Sequence, residues 1–136
     1  MPSKAVADAV EARLAALWTR CPVFDINEEP TGPEDGSAFL EVQYPVANRG
    51  QITIGAPGNN VFREEGAIRF VLRTDRGQGR DTALAWADDL AMIFQAKQFD
   101  GVTTWAPSAP TLDGRNYSDN YFTVTFAVPY YADTLG

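Results

Sequence analysis

Tyr121-Phe122-Thr123-Val124-Thr125-Phe126-Ala127-Val128 decides the fold class. Phe122, Val124, Phe126 and Val128 fall on one side of an extended chain, with Tyr121, Thr123 and Thr125 on the other. Side chains alternate along a strand, so this segment is a strand buried on one face. Two other segments repeat the pattern. Within Ala67 to Arg73, Ile68, Phe70 and Leu72 point inward while Arg69 and Arg73 point outward. Within Phe39 to Val46, Leu40, Val42, Tyr44 and Val46 share a face, with Glu41 and Gln43 opposite. Pro45 places this strand at an edge or ends it there.

One-sided strands need an apolar layer to cover them, and two segments with helical spacing supply it. Val6, Val10, Leu14, Leu17 and Trp18 make one stripe in a helix from about Ser3 to Arg20, which Pro22 stops. Ser3 is its expected N-cap, through a hydroxyl that accepts a backbone N–H. A second helix runs from about Asp81 to Lys97, with Asp81 or Thr82 as cap. Leu84, Leu90, Ala91 and Phe94, flanked by Trp86, Ala87 and Ile93, give it a broad buried face.

The connections are rich in turn residues. Asp25 to Ser37 is a long acidic loop holding Glu28, Glu29, Glu34 and Asp35. Asn48-Arg49-Gly50 reads as a turn into a short strand, Gln51 to Ile54, and Gly55 to Asn60 as another turn. A short strand is expected around Val102-Thr103-Thr104, then a loop from Ala106 to Asn120, and a short tail from Pro129. The order is α-β-β-β-α-β-β. It predicts an α+β fold, a single two-layer domain over residues 1–136. Its mixed or antiparallel sheet of four to five strands is covered on one face by the two helices. The other face, polar and rich in threonine, looks to solvent or to a partner.

Composition narrows the chemistry. The 136 residues are 45% hydrophobic and 12% aromatic, enough for one unstapled core. There is no histidine and one cysteine, Cys21, which removes Ser-His and Cys-His nucleophiles, the commonest zinc ligand and any internal disulfide. The formal charge of −7 repels phosphate and argues against specific DNA binding. No secretory leader is visible and no apolar run approaches the ~20 residues of a membrane span, so a soluble protein made in a cytoplasm is expected.

The remaining motifs read as structure. Gly77-Gln78-Gly79 lies between strand and helix, but position 82 is threonine and no Gly-Lys-Ser/Thr follows, so a nucleotide loop is not indicated. Glu28-Glu29, Glu34-Asp35, Glu64-Glu65 and Asp88-Asp89 are neighbours in sequence, and adjacent side chains diverge, so none is a catalytic dyad by itself. The oxygen donors of Asp113 to Asn120 lack calcium-loop spacing. No catalytic residue, cofactor or metal is assigned. Tyr130 and Tyr131 suit a subunit contact or the edge of the core.

The order of elements and several local motifs resemble the phage tail terminator-like family. The motifs are Ser3-Lys4-Ala5-Val6 through Leu17-Trp18, Phe39-Leu40-Glu41-Val42, Glu65-Gly66-Ala67-Ile68, the Gly77-Gln78-Gly79 turn, Ala83 to Phe94, and Phe122 to Val128 followed by Tyr130-Tyr131-Ala132-Asp133. The resemblance implies a non-enzymatic virion protein at the head-proximal end of a tail, assembled in the host cytoplasm. It implies a ring, six-membered in such proteins, that caps the last tail-tube ring, stops tube growth and offers a surface for head attachment. Its partners would be its own copies, the tail-tube protein and a head-side connector or stopper, with DNA passing through the lumen unbound. Another head–tail connector component, a stopper or completion protein, is the alternative. A small carboxylate hydrolase or transferase and a monomeric ligand-binding domain are the other classes.

Under this resemblance the contacts are expected on projecting loops. They are Asn48-Arg49-Gly50, the Gly58 to Arg63 segment with Phe62 and Arg63, and Arg76 with Arg80. Glu34 and Asp35 of a neighbour would meet the positive charges. Reversing Arg76 and Arg80 to Glu is expected to abolish ring formation, read as solution mass. A double variant that still assembles overturns the assignment.

Overall fold

The computed structural model describes residues 3–24, 38–75, 79–113 and 121–136. In chain order the elements are α1 (Lys4–Leu17), β1 (Val23–Phe24), β2 (Phe39–Gln51), β3 (Val61–Asp75), α2 (Gly79–Phe94), β4 (Gln98–Phe99), β5 (Val102–Thr104), β6 (Thr111–Asp113) and β7 (Tyr121–Leu135). The strands form one sheet in the order β1-β2-β3-β7-β5-β4, with β6 also on β7. Every pairing is antiparallel except that of β1 with β2. The body of the sheet is β2, β3 and β7; β5 and β6 widen it, and the two-residue β1 and β4 finish its edges. This is the expected α+β architecture.

Both helices lie on the same sheet face. Val6, Ala9, Val10, Leu14 and Trp18 of the α1 segment join Ala83, Ala87, Leu90 and Phe94 of α2 in one buried cluster. The sheet contributes Leu40, Val42, Ile68, Phe70, Leu72, Val124, Phe126 and Val128. Phe70 sits at the centre, its ring 5.0 Å from Phe94 and 5.3 Å from Phe126. Ile68, Phe70 and Leu72 of β3 and Val124, Phe126 and Val128 of β7 are buried as alternation expects, while the Phe122 side chain lies outside the described set; on the opposite face Val71 and Thr123, the latter expected to be open, are buried as well.

α2 is pinned at its C-terminal end. Thr104, buried on β5, donates its hydroxyl to Phe94 O and accepts from Lys97 N at 3.0 Å. The Arg13 Nε of α1 donates to Ile93 O at 2.8 Å, and its guanidinium lies 4.9 Å from the Phe99 ring. A cation at helix C-terminal carbonyls complements the helix dipole, so one residue ties α1 to α2.

The strands run further than local chemistry suggests. Asn48-Arg49-Gly50 is not a turn but part of β2, paired with Glu65, Glu64 and Arg63. Ile52 to Ile54 do not form a strand, whereas Val61 to Arg63 are the start of β3. Pro129 onward is no loose tail: it continues β7 to Leu135. Pro129 brings no N–H, but its carbonyl accepts from Trp105 N at 3.0 Å. Neighbouring strands satisfy these backbones, and pairing outweighs weak intrinsic preference.

β2 carries the irregularity that organises the rest. Its register shifts between Gln43 and Val46: Gln43 pairs with Arg69 and Val46 with Ala67. Tyr44 and Pro45 therefore share the single position opposite Ile68, a β-bulge. Proline is tolerated there because a bulge breaks the ladder anyway. The extra residue reverses the parity of the strand. Leu40, Val42 and Tyr44 face the helices, but Val46, expected on the same face, is 50% exposed. Beyond the bulge the odd-numbered residues turn to the helix side, which brings Arg49 opposite Glu64.

Candidate assembly surfaces

Three local arrangements stand out. The first is a node at the N-terminus of α1. Glu64 is buried on β3 and accepts the Tyr130 hydroxyl at 2.7 Å. It also accepts the Ser3 backbone N–H at 3.2 and 3.3 Å, and Arg49 Nη2 lies 3.7 Å away. Ser3 does occupy the N-cap position, but its side chain makes no cap bond. The first turn of α1 holds no acidic residue, so Glu64 supplies the negative charge that a helix N-terminus favours. Burial pushes the Glu64 carboxyl up, but the Tyr130 hydroxyl, Ser3 and Arg49 outweigh it and hold it below its ordinary value. Burial and the Glu64 carboxylate push the Tyr130 phenol well above its usual range. Tyr130 thus belongs to the core, not to a subunit contact.

The second arrangement is the sheet face that no helix covers. Pairing aligns side chains in rows across β2, β3 and β7. Gly50, Arg63 and Asp133 form one row; Asn48, Glu65 and Tyr131 form the next; Val46, Ala67 and Pro129 follow. Arg63 makes a two-pronged bond to Asp133 at 2.8 and 3.0 Å, and its guanidinium lies 4.3 Å from the Tyr131 ring. That pair holds Arg63 above and Asp133 below its ordinary pKa, mainly through the shared hydrogen bond. Trp105, 54% exposed, stacks on Tyr131 at 5.4 Å. A solvent-facing cluster of Trp, Tyr and Arg is the composition of protein–protein anchor sites.

The third is the loop from Ile52 to Asn60 that joins β2 to β3. Asn60 is buried, and its side-chain carbonyl accepts from Ala56 N at 3.1 Å and from Thr53 Oγ1 at 3.4 Å. Thr53 Oγ1 accepts from Val61 N at 2.9 Å, and Asn59 N donates to Ala56 O at 2.8 Å. Asn60 and Gly136 exchange two backbone bonds of 2.9 Å, which fasten the loop to the chain end. Gly55 and Gly58 take positive φ of 92° and 88°, a region that suits glycine. On this braced frame Ile54 is 86% exposed and Ile52 53%.

Of the residues expected at contacts, Arg63 lies on the open face. Arg49 lies on the helix side beside Glu64, and Phe62, half-buried, lies near Gly136. Arg80 is in the first turn of α2, its side chain outside the described set; Arg76, Glu34 and Asp35 also lie outside the described residues. Sequence reading missed Trp105, Ile52 and Ile54. Only Ile54 left a signal, an aliphatic residue directly before a glycine-rich turn. Among the described residues no group of three or more acidic or cysteine side chains could hold a metal ion. No helix among them is long and apolar enough to cross a membrane.

Comparison with known proteins places this architecture. A solved structure resembles the chain over 100% of its length and 99% of the other chain, at 19% identity and a TM-score of 0.64, which establishes a shared fold. None of the curated proteins matches. The family model described as phage tail terminator protein matches residues 5–130, from the first turn of α1 into β7. That span takes in nearly all of both helices and of the bulged sheet, and the chain therefore belongs to the phage tail terminator protein family.

Proposed function

We propose that the protein is a structural subunit that ends a phage tail. Copies of it form a ring, six-membered on the family pattern, which seats on the last ring of the tail tube. The occupied tube end no longer accepts tube subunits, so growth stops. The opposite side of the ring gives a head-side connector its binding surface, and the protein remains at the head-proximal end of the virion tail. The family match over residues 5–130 carries this reading. Two physical features support it. The uncovered sheet face carries the Trp105–Tyr131–Arg63 cluster, an anchor suited to a partner protein. The net charge of −7 suits a lumen through which DNA slides without binding. Arg49, Phe62, Arg63, Arg76, Arg80, Glu34 and Asp35 remain the proposed contact residues, and catalysis and cofactors have no part.

The test is the tail-length distribution, by electron microscopy, of particles assembled with and without the protein. Overlong or ragged tails lacking heads are expected in its absence. Tails of normal, uniform length would reject the terminator role and favour a connector on the head side of the joint.

A further inference from the structure

The sheet face without helices divides into two halves. At one end Phe39, Val71 and Thr123 are buried. Toward the other end Val46, Ile52, Trp105 and Leu135 are 50 to 69% exposed. Single exposed hydrophobics are ordinary, but several on one flat face mark an interaction site. The undescribed segments inside the chain cannot cover the far end of this patch. Residues 25–37, 76–78 and 114–120 all leave described structure near the Phe39–Arg73–Thr123 row: Phe24 pairs with Glu41, Asp75 with Tyr121 and Asp113 with Thr123. The longest, thirteen residues, extends about 23 Å out and back. Val61 lies ten residues along β3 from Val71, the partner of Glu41, and so about 33 Å away. Residues 1–2 adjoin α1 on the other face.

The order of the rows shows what the patch accepts. From the free end inward, the first row is Ile52, Val61 and Leu135, with Ile52 N still bonded to Val61 O at 2.7 Å. The second carries Arg63 and Asp133, the third Glu65 and Tyr131, and the fourth Val46, Ala67 and Pro129. Apolar rows thus flank two polar ones, with a guanidinium in one polar row and a carboxylate beside it on the same strand in the next. Such an order is complementary to its own reverse. A two-fold axis crossing the strands between Arg63 and Glu65 sets two copies face to face with strands antiparallel, at the ~10 Å spacing of packed sheets. The first row of each copy then covers the fourth row of the other. Arg63 meets Glu65, which is exposed and has no ion pair among the described residues, and Asp133 meets the Tyr131 hydroxyl. Each contact occurs twice, as a two-fold requires.

We infer that two copies of this chain pair face to face through this half of the sheet, with reciprocal Arg63–Glu65 contacts between two apolar rows. Three strands by four rows make a face of roughly 14 by 26 Å, short of the ~800 Å² that each partner gives to a stable complex, so the pairing is weak and reversible. A two-fold contact closes on itself and does not by itself build a six-membered ring. The inference therefore stands or falls apart from the ring reading.

Sedimentation equilibrium of the full chain and of two single variants, Arg63→Glu and Glu65→Arg, tests it. The parent should be a monomer–dimer mixture at about 0.1 mM, the range of a weak contact. Each variant alone sets like charges against each other at both contacts and should weaken pairing at least about tenfold. An equal mixture of the two variants sets opposite charges at both contacts and should regain the parent's association as a heterodimer. Misfolding could not be repaired by mixing. A parent that stays monomeric to about 1 mM overturns the inference. So does a variant that pairs as tightly as the parent, or a mixture that associates no better than its components; this face then takes a different occupant.

Discussion

Gly66→Ala should lower folding stability by about 3 kcal/mol or more, at or beyond the upper end for an overpacked site. Replacing a strand glycine with alanine ordinarily gains about 0.5–1 kcal/mol, so the sign itself is diagnostic. The reason is the bulge. It brings β2 over Gly66 so closely that an added Cβ would stand 2.1 Å from the Val46 carbonyl oxygen and 3.0 Å from the Tyr130 ring. The first obstacle is backbone, which has no rotamer with which to yield. Either β2 separates from β3 at this point or the bulge moves, and both would displace Arg49 from Glu64. Urea denaturation of the parent and variant is the measurement. A variant within 1 kcal/mol of the parent would mean that β2 shifts easily and that the bulge does not depend on glycine.

Glu64→Gln should cost about 1.5–3 kcal/mol at neutral pH, the range for hydrogen bonds to a charged group. The replacement keeps the shape but sets an amide N–H₂ among the donors Ser3 N–H, Arg49 and the Tyr130 hydroxyl. The pH dependence separates this electrostatic role from packing. Folding holds the Glu64 pKa below its ordinary 4.5, so the carboxylate's contribution is complete above that value. It is lost as pH falls through the folded-state pKa, where the native carboxyl takes up its proton. The difference between parent and variant should therefore shrink on acidification below 4.5. A difference that stays constant into acid would assign the loss to shape alone. Arg49→Ala should matter far less, by about 0–1 kcal/mol, because its side chain is 62% exposed and the pair is screened.

These two residues sit where local reading and long-range structure part company. Glu64-Glu65 reads as a pair of surface carboxylates, yet alternation separates them: Glu64 turns inward to the α1 N-terminus while Glu65 stays exposed on the open face. Nothing near Glu64 in sequence announces its partners, since Ser3 and Tyr130 lie 61 and 66 residues away. Asn48-Arg49-Gly50 has good turn chemistry, but β3 offers those residues a ladder and the strand continues. The proposed contact surfaces were partly legible. Arg63 and Tyr131 were candidates from residue type, but the two-pronged bond to Asp133 and the stacked Trp105 come from cross-strand pairing, which sequence spacing does not encode.

By itself, the sequence determined the two helices, the central stretches of β2, β3 and β7, and most of their inner faces. The period of two in Ile68-Phe70-Leu72 and Val124-Phe126-Val128, and the helical stripe of Val6, Val10, Leu14, Leu17 and Trp18, each point to one buried side, and those sides are buried except at Leu17, which is 51% exposed. The missing histidines and the acidic balance set the chemical limits in the same local way. Tertiary structure alone decided strand length, the bulge at Tyr44-Pro45, the carboxylate that meets α1, and the loop that holds Ile54 in water. Each depends on which backbone lies opposite which. That is a property of pairing between segments dozens of residues apart, and hydrogen bonds from a neighbouring strand outweigh the fraction of a kcal/mol per residue by which local preference differs.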